Sequence, residues 1–132
     1  MEVLTESITI FGDIHGNLPA LEAIFADMEQ RNLSNLYCLG DLVGYGTFPN
    51  EVVEFIRERQ IPTIMGNYDQ GVGHDSDDCG CAYKTEVEQQ RGEQSIAWSN
   101  AHTTEDNKAY LRSLDDQIPV QLCDLKILLV HG

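Results

Sequence analysis

Four short apolar runs in this chain each end on a glycine set beside an aspartate, an asparagine or a histidine. "ITIF" runs into Gly12-Asp13-Ile14-His15-Gly16-Asn17, and "LYCL" into Gly40-Asp41-Leu42-Val43-Gly44. "TIM" runs into Gly66-Asn67-Tyr68-Asp69, and "KILLV" into His131-Gly132. The first three runs read as strands at Ser7–Phe11, Asn35–Leu39 and Ile61–Met65, with helices between them. Leu18–Arg31 carries Leu21, Ile24, Phe25 and Met28 at the spacing of one buried helical face. Asn17 or Leu18 caps it, and Pro19 fits its first turn. Pro49–Arg59 is a second helix, burying Val52, Phe55 and Ile56. Strand and helix alternating over short connections predict parallel pairing by right-handed crossovers. The fold class is therefore α/β, a mostly parallel sheet flanked by helices.

Downstream, "GNYDQGVGHDSDDCGCAY" reads as a polar, glycine-rich loop long enough to be functional. Glu86–Ala101 reads as a helix, although Gly92 costs about 1 kcal/mol there relative to alanine. Thr104–Leu114 is a better helix, with a threonine cap and Tyr110, Leu111 and Leu114 on one face. Ile118–Leu122 and Lys126–Val130 read as strands joined by a tight turn at Cys123–Asp124. With 132 residues and neither linker nor repeat, residues 1–132 are expected to form one domain.

The charge balance narrows the function classes. Twenty-two acidic residues stand against eight basic ones, a formal charge of −14. Nucleic acid and anionic membrane both require clustered Lys and Arg, so neither is an expected partner. Most of the carboxylates belong to a solvated surface; a few close together would need a multivalent cation between them. No apolar run is as long as a membrane span, and "MEVLTESITI" has no basic leader region, so the expected compartment is the cytoplasm. Cys38 and Cys123 lie in apolar runs, where free cysteine behaves as a small buried hydrophobe. Cys79-Gly-Cys81 has no second pair with which to bind zinc, so all four cysteines read as reduced thiols.

Parallel strands deliver their carboxyl ends to one edge of a sheet, the edge where open α/β folds bind ligands. Asp13, His15, Asp41, Asn67 and His131 are expected to converge there. Two carboxylates held that close repel unless a cation sits between them. The mixed oxygen and nitrogen donors suit Mn²⁺, Zn²⁺, Fe or Co better than Mg²⁺ or Ca²⁺. Each motif alone has a plainer explanation, since Asp-x-His occurs by chance and Gly-Asp or Gly-Asn is often just a turn. Four at the same point of successive strands are hard to explain as turns. No phosphate-cradling glycine motif follows any strand, and "GYGTFP" at Gly44–Pro49 is only superficially similar to one.

Asp-x-His at Asp13–His15, Gly-Asp-x-x-Gly at Gly40–Gly44, Gly-Asn-x-Asp at Gly66–Asp69 and His-Gly at His131–Gly132 come in the order found in the calcineurin-like metallophosphoesterases. The sequence resembles that family across essentially its whole length, and most closely its small bacterial and archaeal phosphodiesterase-type members. The resemblance implies a four-layer α/β/β/α sandwich, of which this chain would be the N-terminal part. It implies hydrolysis of small phosphate esters, diesters foremost, by a hydroxide bridging two divalent ions: manganese first, with Fe, Zn, Ni or Co as alternatives. Asp13 and His15 would hold one ion and Asn67 and His131 the other, with Asp41 bridging them. Asp41, Asn67, Tyr68 and Asp69 would form the catalytic apparatus.

Two departures from the family pattern qualify this expectation. Many members carry histidine at the position of Tyr68; a phenol can donate a hydrogen bond but cannot cycle protons as imidazole does. That turns the expected substrate toward diesters and good leaving groups, with Tyr68 as a lid or packing residue the other options. The family's downstream Gly-His-x-His has no counterpart here, since His74 and His102 follow no strand and read as surface residues. The chain is thus expected to be C-terminally incomplete, with weaker metal occupancy and an uncovered sheet inviting self-association. A non-catalytic binding or interaction protein on the same scaffold is the alternative reading. Of the pocket walls, Gly71–Tyr83 is the nearest candidate, and its acidic "HDSDD" disfavours highly anionic ligands.

Overall fold

Helices form where the sequence supplies both an apolar stripe and a cap. The computed structural model describes residues 1–78, 80 and 82–132. Helix α1 spans Leu18–Gln30, buries Leu21 and Met28, and is capped by the Asn17 side chain, which accepts the Ala20 N–H at 3.1 Å. Helix α2 spans Pro49–Glu58 and buries Val52, Val53 and Ile56, leaving Phe55 half-buried. The seven residues Asn67–Gly73 form α3, inside the stretch expected to be loop. Helices α4 (Glu86–His102) and α5 (Glu105–Arg112) start at the threonine caps Thr85 and Thr104. Among the described residues, no helix is long and apolar enough to cross a membrane.

The strands divide between two sheets. In the first, β2 (Thr9–Phe11) pairs in parallel with β3 (Leu36–Cys38), Thr9 opposite Leu36 and Phe11 opposite Cys38. The strand expected at Ile61–Met65 is reduced to two isolated parallel bridges, Cys38 with Thr63 and Ile64 with Asp115. In the second sheet, β4 (Gln117–Leu122) lies between β1 (Glu2–Leu4), to which it is parallel, and β5 (Leu125–Val130), to which it is antiparallel. The three-residue β1 has no counterpart among the expected strands.

Side-chain alternation along β3 reveals the layering. Tyr37 packs with Leu4, Ile64, Val120 and Leu129, a core between the two sheets. Its neighbour Cys38 faces the opposite way, into a core with Leu21, Val52, Ile56 and Leu111 beneath the helices. Burial pushes the Cys38 thiol up to about 12 and keeps it protonated. Cys123, by contrast, is exposed at the β4–β5 turn with φ +53°, so it is not the buried hydrophobe expected. The two-residue connection demands a left-handed backbone, and that outweighs burial. Cys79 and Cys81 lie outside the described residues, and with them the reading of those two as thiols.

One glycine marks how tightly the loop ends are packed. Gly40 has φ +92°, and a Cβ there would lie 2.5 Å from the Ile64 carbonyl oxygen and 2.6 Å from the Gly66 nitrogen. Both neighbours are backbone and cannot swing aside. Gly40→Ala is expected to lower unfolding free energy by about 2–4 kcal/mol. Urea denaturation measures this, with Gly132→Ala, whose Cβ would meet nothing within 4 Å, as the neutral control.

Candidate metal centre

The loops that follow β2 and β3 continue their ladder beyond the strands. Asp13 N–H donates to the Gly40 carbonyl at 2.9 Å, His15 N–H to Asp41 at 2.8 Å, and Gly16 N–H to Leu42 at 2.7 Å. To run side by side while turning, the loops use left-handed backbone at Asp13 (φ +53°), His15 (+48°) and Asp41 (+56°). Non-glycine residues enter that region at a cost of order 1 kcal/mol each. Strained residues of this kind cluster at functional sites, and here all three are candidate ligands.

Asp41 sits at the middle of the rim and is buried. Its Oδ1 accepts the Tyr68 N–H at 3.0 Å, from the first turn of α3. Its Oδ2 lies 3.6 Å from His15 Nε2 and 3.3 Å from His131 Nε2. A Cβ on Gly66 would stand 2.1 Å from Asp41 Oδ1, so glycine alone lets the carboxylate reach the helix. Burial pushes the Asp41 carboxyl above the usual carboxylate range, and nearby Asp13 adds to that. The Tyr68 N–H and the two imidazoles pull the other way.

Each imidazole is held from behind by a backbone carbonyl. His15 Nδ1 lies 2.8 Å from the Val43 oxygen, and His131 Nδ1 lies 2.7 Å from the Leu39 oxygen. A carbonyl only accepts, so Nδ1 carries the proton, and in the neutral ring Nε2 offers a lone pair to the rim. This is the usual second contact of a metal-binding histidine. His131 Nε2 also lies 3.0 Å from Asn67 Oδ1. Lone pairs of nitrogen and carboxylate oxygen thus point at one another, an arrangement that a cation between them stabilises.

Donor atoms of Asp13, Asp41 and His131 all lie within 4.8 Å of one another. His15 approaches the same Asp41 oxygen as His131, and Asn67 stands against His131. Mixed nitrogen and oxygen donors around a buried carboxylate fit a divalent transition metal. The rim opens into a cavity of about 530 Å³ whose walls include Asp13, Asp41, Asn67 and His131.

The remaining site residues expected from the sequence face elsewhere. Asp69 is fully buried: Oδ2 accepts N–H groups from Asp41 (2.7 Å) and Gly66 (2.9 Å), and Oδ1 accepts that of Leu42 (2.8 Å). It ties α3 to the loop after β3, a positioning arrangement. Burial pushes its carboxyl up to about 6, against the pull of those three N–H donors. The Tyr68 phenol lies 3.2 Å from that of Tyr83, and its ring packs edge-on to His15, centroids 5.3 Å apart. Burial, reinforced by its tyrosine neighbours, raises that phenol's pKa and keeps it protonated. His74 and His102 are exposed, the latter stacked on Trp98.

One residue of this rim lies in "GYGTFP", a segment weighed above only as a glycine motif. Tyr45 is left-handed (φ +59°) and packs edge-on against His15, centroids 5.1 Å apart. An aromatic residue between Gly44 and Gly46 was the available signal.

Comparison with known proteins identifies the family. The family model of the calcineurin-like phosphoesterases matches residues 6–132. An uncharacterized protein of Methanocaldococcus jannaschii is 36% identical over 126 residues, covering 95% of this chain and 49% of that protein. The crystal structure of a metallophosphoesterase from Sphaerobacter thermophilus superposes with a TM-score of 0.62 at 30% identity, over 84% of this chain and 42% of that one. A hypothetical protein from Pyrococcus horikoshii shares the fold, with a TM-score of 0.72 at 20% identity, over 92% of this chain and 52% of that one. The chain spans about half the length of the curated relative it matches.

Two variants separate architecture from ligation. Asp69→Asn leaves one acceptor oxygen where two now serve three N–H groups, and should lower unfolding free energy by about 1–3 kcal/mol in urea denaturation. Asp13→Gly removes an exposed carboxylate and relieves a left-handed backbone. Without metal its unfolding free energy should stay within about 1 kcal/mol of the parent. The rise in melting temperature on adding Mn²⁺ should shrink markedly.

Proposed function

We propose that this chain, which belongs to the calcineurin-like phosphoesterase family, supplies the metal centre of a divalent-metal-dependent phosphodiesterase. The observation that carries this reading is the meeting of Asp13, Asp41 and His131 within 4.8 Å, with Asn67 against His131 and His15 against Asp41. Asp41 is central because Asp13 and His15 reach it from the loop after β2 and His131 from the end of β5. In the proposed arrangement it serves both His15 and the pair of Asn67 and His131, and exposed Asp13 joins it beside His131. When bound, divalent ions would polarise the phosphoryl group and lower the pKa of water there. Manganese is our first choice of ion: the oxygens of Asp13, Asp41 and Asn67 suit it, and the two imidazoles set the site apart from an all-oxygen magnesium or calcium cage.

The protein's own residues do the rest. The carbonyls of Val43 and Leu39 fix both imidazoles so that Nε2 needs no reorientation to bind. Strained loops hold the carboxylates in place before any ligand arrives. Tyr68, engaged with Tyr83, offers no group that cycles protons, so the leaving oxygen must depart with little help. Diesters of good leaving groups suit that limit better than demanding monoesters.

The test is hydrolysis of a chromogenic phosphodiester by this chain with added Mn²⁺. Turnover is expected to depend on the metal and to fall by at least about a hundredfold in Asp41→Asn. A folded protein with no metal-dependent turnover would overturn the catalytic reading and leave a binding protein on the same scaffold.

A further inference from the structure

A second cavity, of about 560 Å³, adjoins the metal rim and shares Asp13 with it. Its walls carry His15 at the rim and then Tyr45 and Phe48, two large side chains that are 54% and 42% exposed. Exposed aromatic rings are common on a surface. A pair lining a concavity that opens onto a candidate reaction centre is not.

The loop bearing these rings is fixed at several points. Tyr45 N–H donates to Ser95 Oγ at 2.7 Å, Gly46 N–H to the His15 carbonyl at 2.8 Å, and Phe48 N–H to the Gly16 carbonyl at 3.0 Å. Tyr45 leans on Tyr68 as well as on His15, with ring centroids 4.9 Å apart in the first case. Its backbone is left-handed, and its ring lines the cavity while packed on those two neighbours. A rigid aromatic platform binds a planar group without ordering cost of its own.

Charge narrows the class of ligand. Neither cavity has a lysine or arginine in its wall. A polyphosphate brings several negative charges and would meet only the charge of bound metal, on a protein of formal charge −14. A diester carries a single negative charge, and its second arm can be neutral and planar.

We propose that the Tyr45–Phe48 cavity binds a planar aromatic arm of the phosphodiester, with Tyr45 as the specificity-determining residue. This rests on the phosphodiesterase reading and deepens it. The arm held there is the one that stays on phosphorus, because only then does the grip persist through the displacement.

The experiment compares bis(p-nitrophenyl) phosphate with methyl p-nitrophenyl phosphate, which lose the same leaving group and differ in the retained arm. Parent, Tyr45→Ala and Phe48→Ser are assayed with Mn²⁺. Alanine keeps the Cβ and so the same backbone demand at Tyr45. Serine gives α2 the capping hydroxyl that its N-terminus lacks, so the fold is not put at risk. Intrinsic reactivities cancel when the ratio of the two kcat/KM values is compared between proteins. That ratio should fall about tenfold in each variant. An unchanged ratio overturns the proposal.

A second readout needs no turnover. Saturation-transfer NMR with diphenyl phosphate and diamagnetic Zn²⁺ should show transfer to the ring protons in the parent and its loss in both variants. Transfer that persists in both overturns the subsite. If neither chromogenic diester is hydrolysed, the phosphodiesterase reading fails, and the NMR result still decides whether the cavity takes an aromatic group.

Discussion

Two carboxylates and the backbone between them hold this site together. Asp41 accepts the Tyr68 N–H from the first turn of α3, and Asp69 from the same turn accepts the Asp41 and Leu42 N–H groups in return. The exchange locks the loop after β3 to the start of α3. It fixes Asp41 with one oxygen spent on backbone and the other aimed at two imidazoles. Everything further out, from His15 to Tyr45, is placed relative to that carboxylate. A buried acid of this kind is costly unless its hydrogen bonds are complete. Asp69 meets the cost with three N–H donors, while Asp41 has its other oxygen directed at the rim.

A second constraint is that the site joins two sheets. Asp13 and Asp41 follow strands of the first sheet, whereas His131 follows β5 in the second. The hydrogen bond from His131 to the Leu39 carbonyl bridges them at the rim, above a shared core of Tyr37, Val120 and Leu129. Packing between the sheets therefore sets the distance between His131 and Asp41. The left-handed residues Asp13, His15 and Asp41 add strain that this packing must absorb. Stability and site geometry are coupled here through ordinary core contacts rather than through the ligands alone.

Much of this was legible in the chain itself. The stripes of α1, α2 and α5, the Asn17 and Thr104 caps and the β4–β5 hairpin follow from periodicity and end signals that act locally. The positions of Asp13, His15, Asp41, Asn67 and His131 after apolar runs were equally plain. Helix α3 was hidden because Gly71 and Gly73 lower its propensity, and long-range bonds hold it instead: Tyr68 N–H to Asp41, and the Asp41 and Leu42 N–H groups to Asp69. β1 is three residues long and exists by pairing with β4, more than a hundred positions away. The run at Ile61–Met65 makes only bridges, because its neighbour on one side is the single residue Asp115.

The order of the motifs, the residue types able to hold metal and the lack of a cycling imidazole at position 68 were written in the sequence, since they depend on identity and local spacing. How Asp41 divides its two oxygens, one to the Tyr68 N–H and the other toward two imidazoles, was decided only in three dimensions. So was the role of Asp69, whose side chain turned out to face backbone N–H groups. The same holds for the aromatic wall of Tyr45 and Phe48 beside the rim. Those outcomes depend on hydrogen bonds and ring contacts between segments far apart in the chain, and no local pattern encodes the direction in which a side chain finally points.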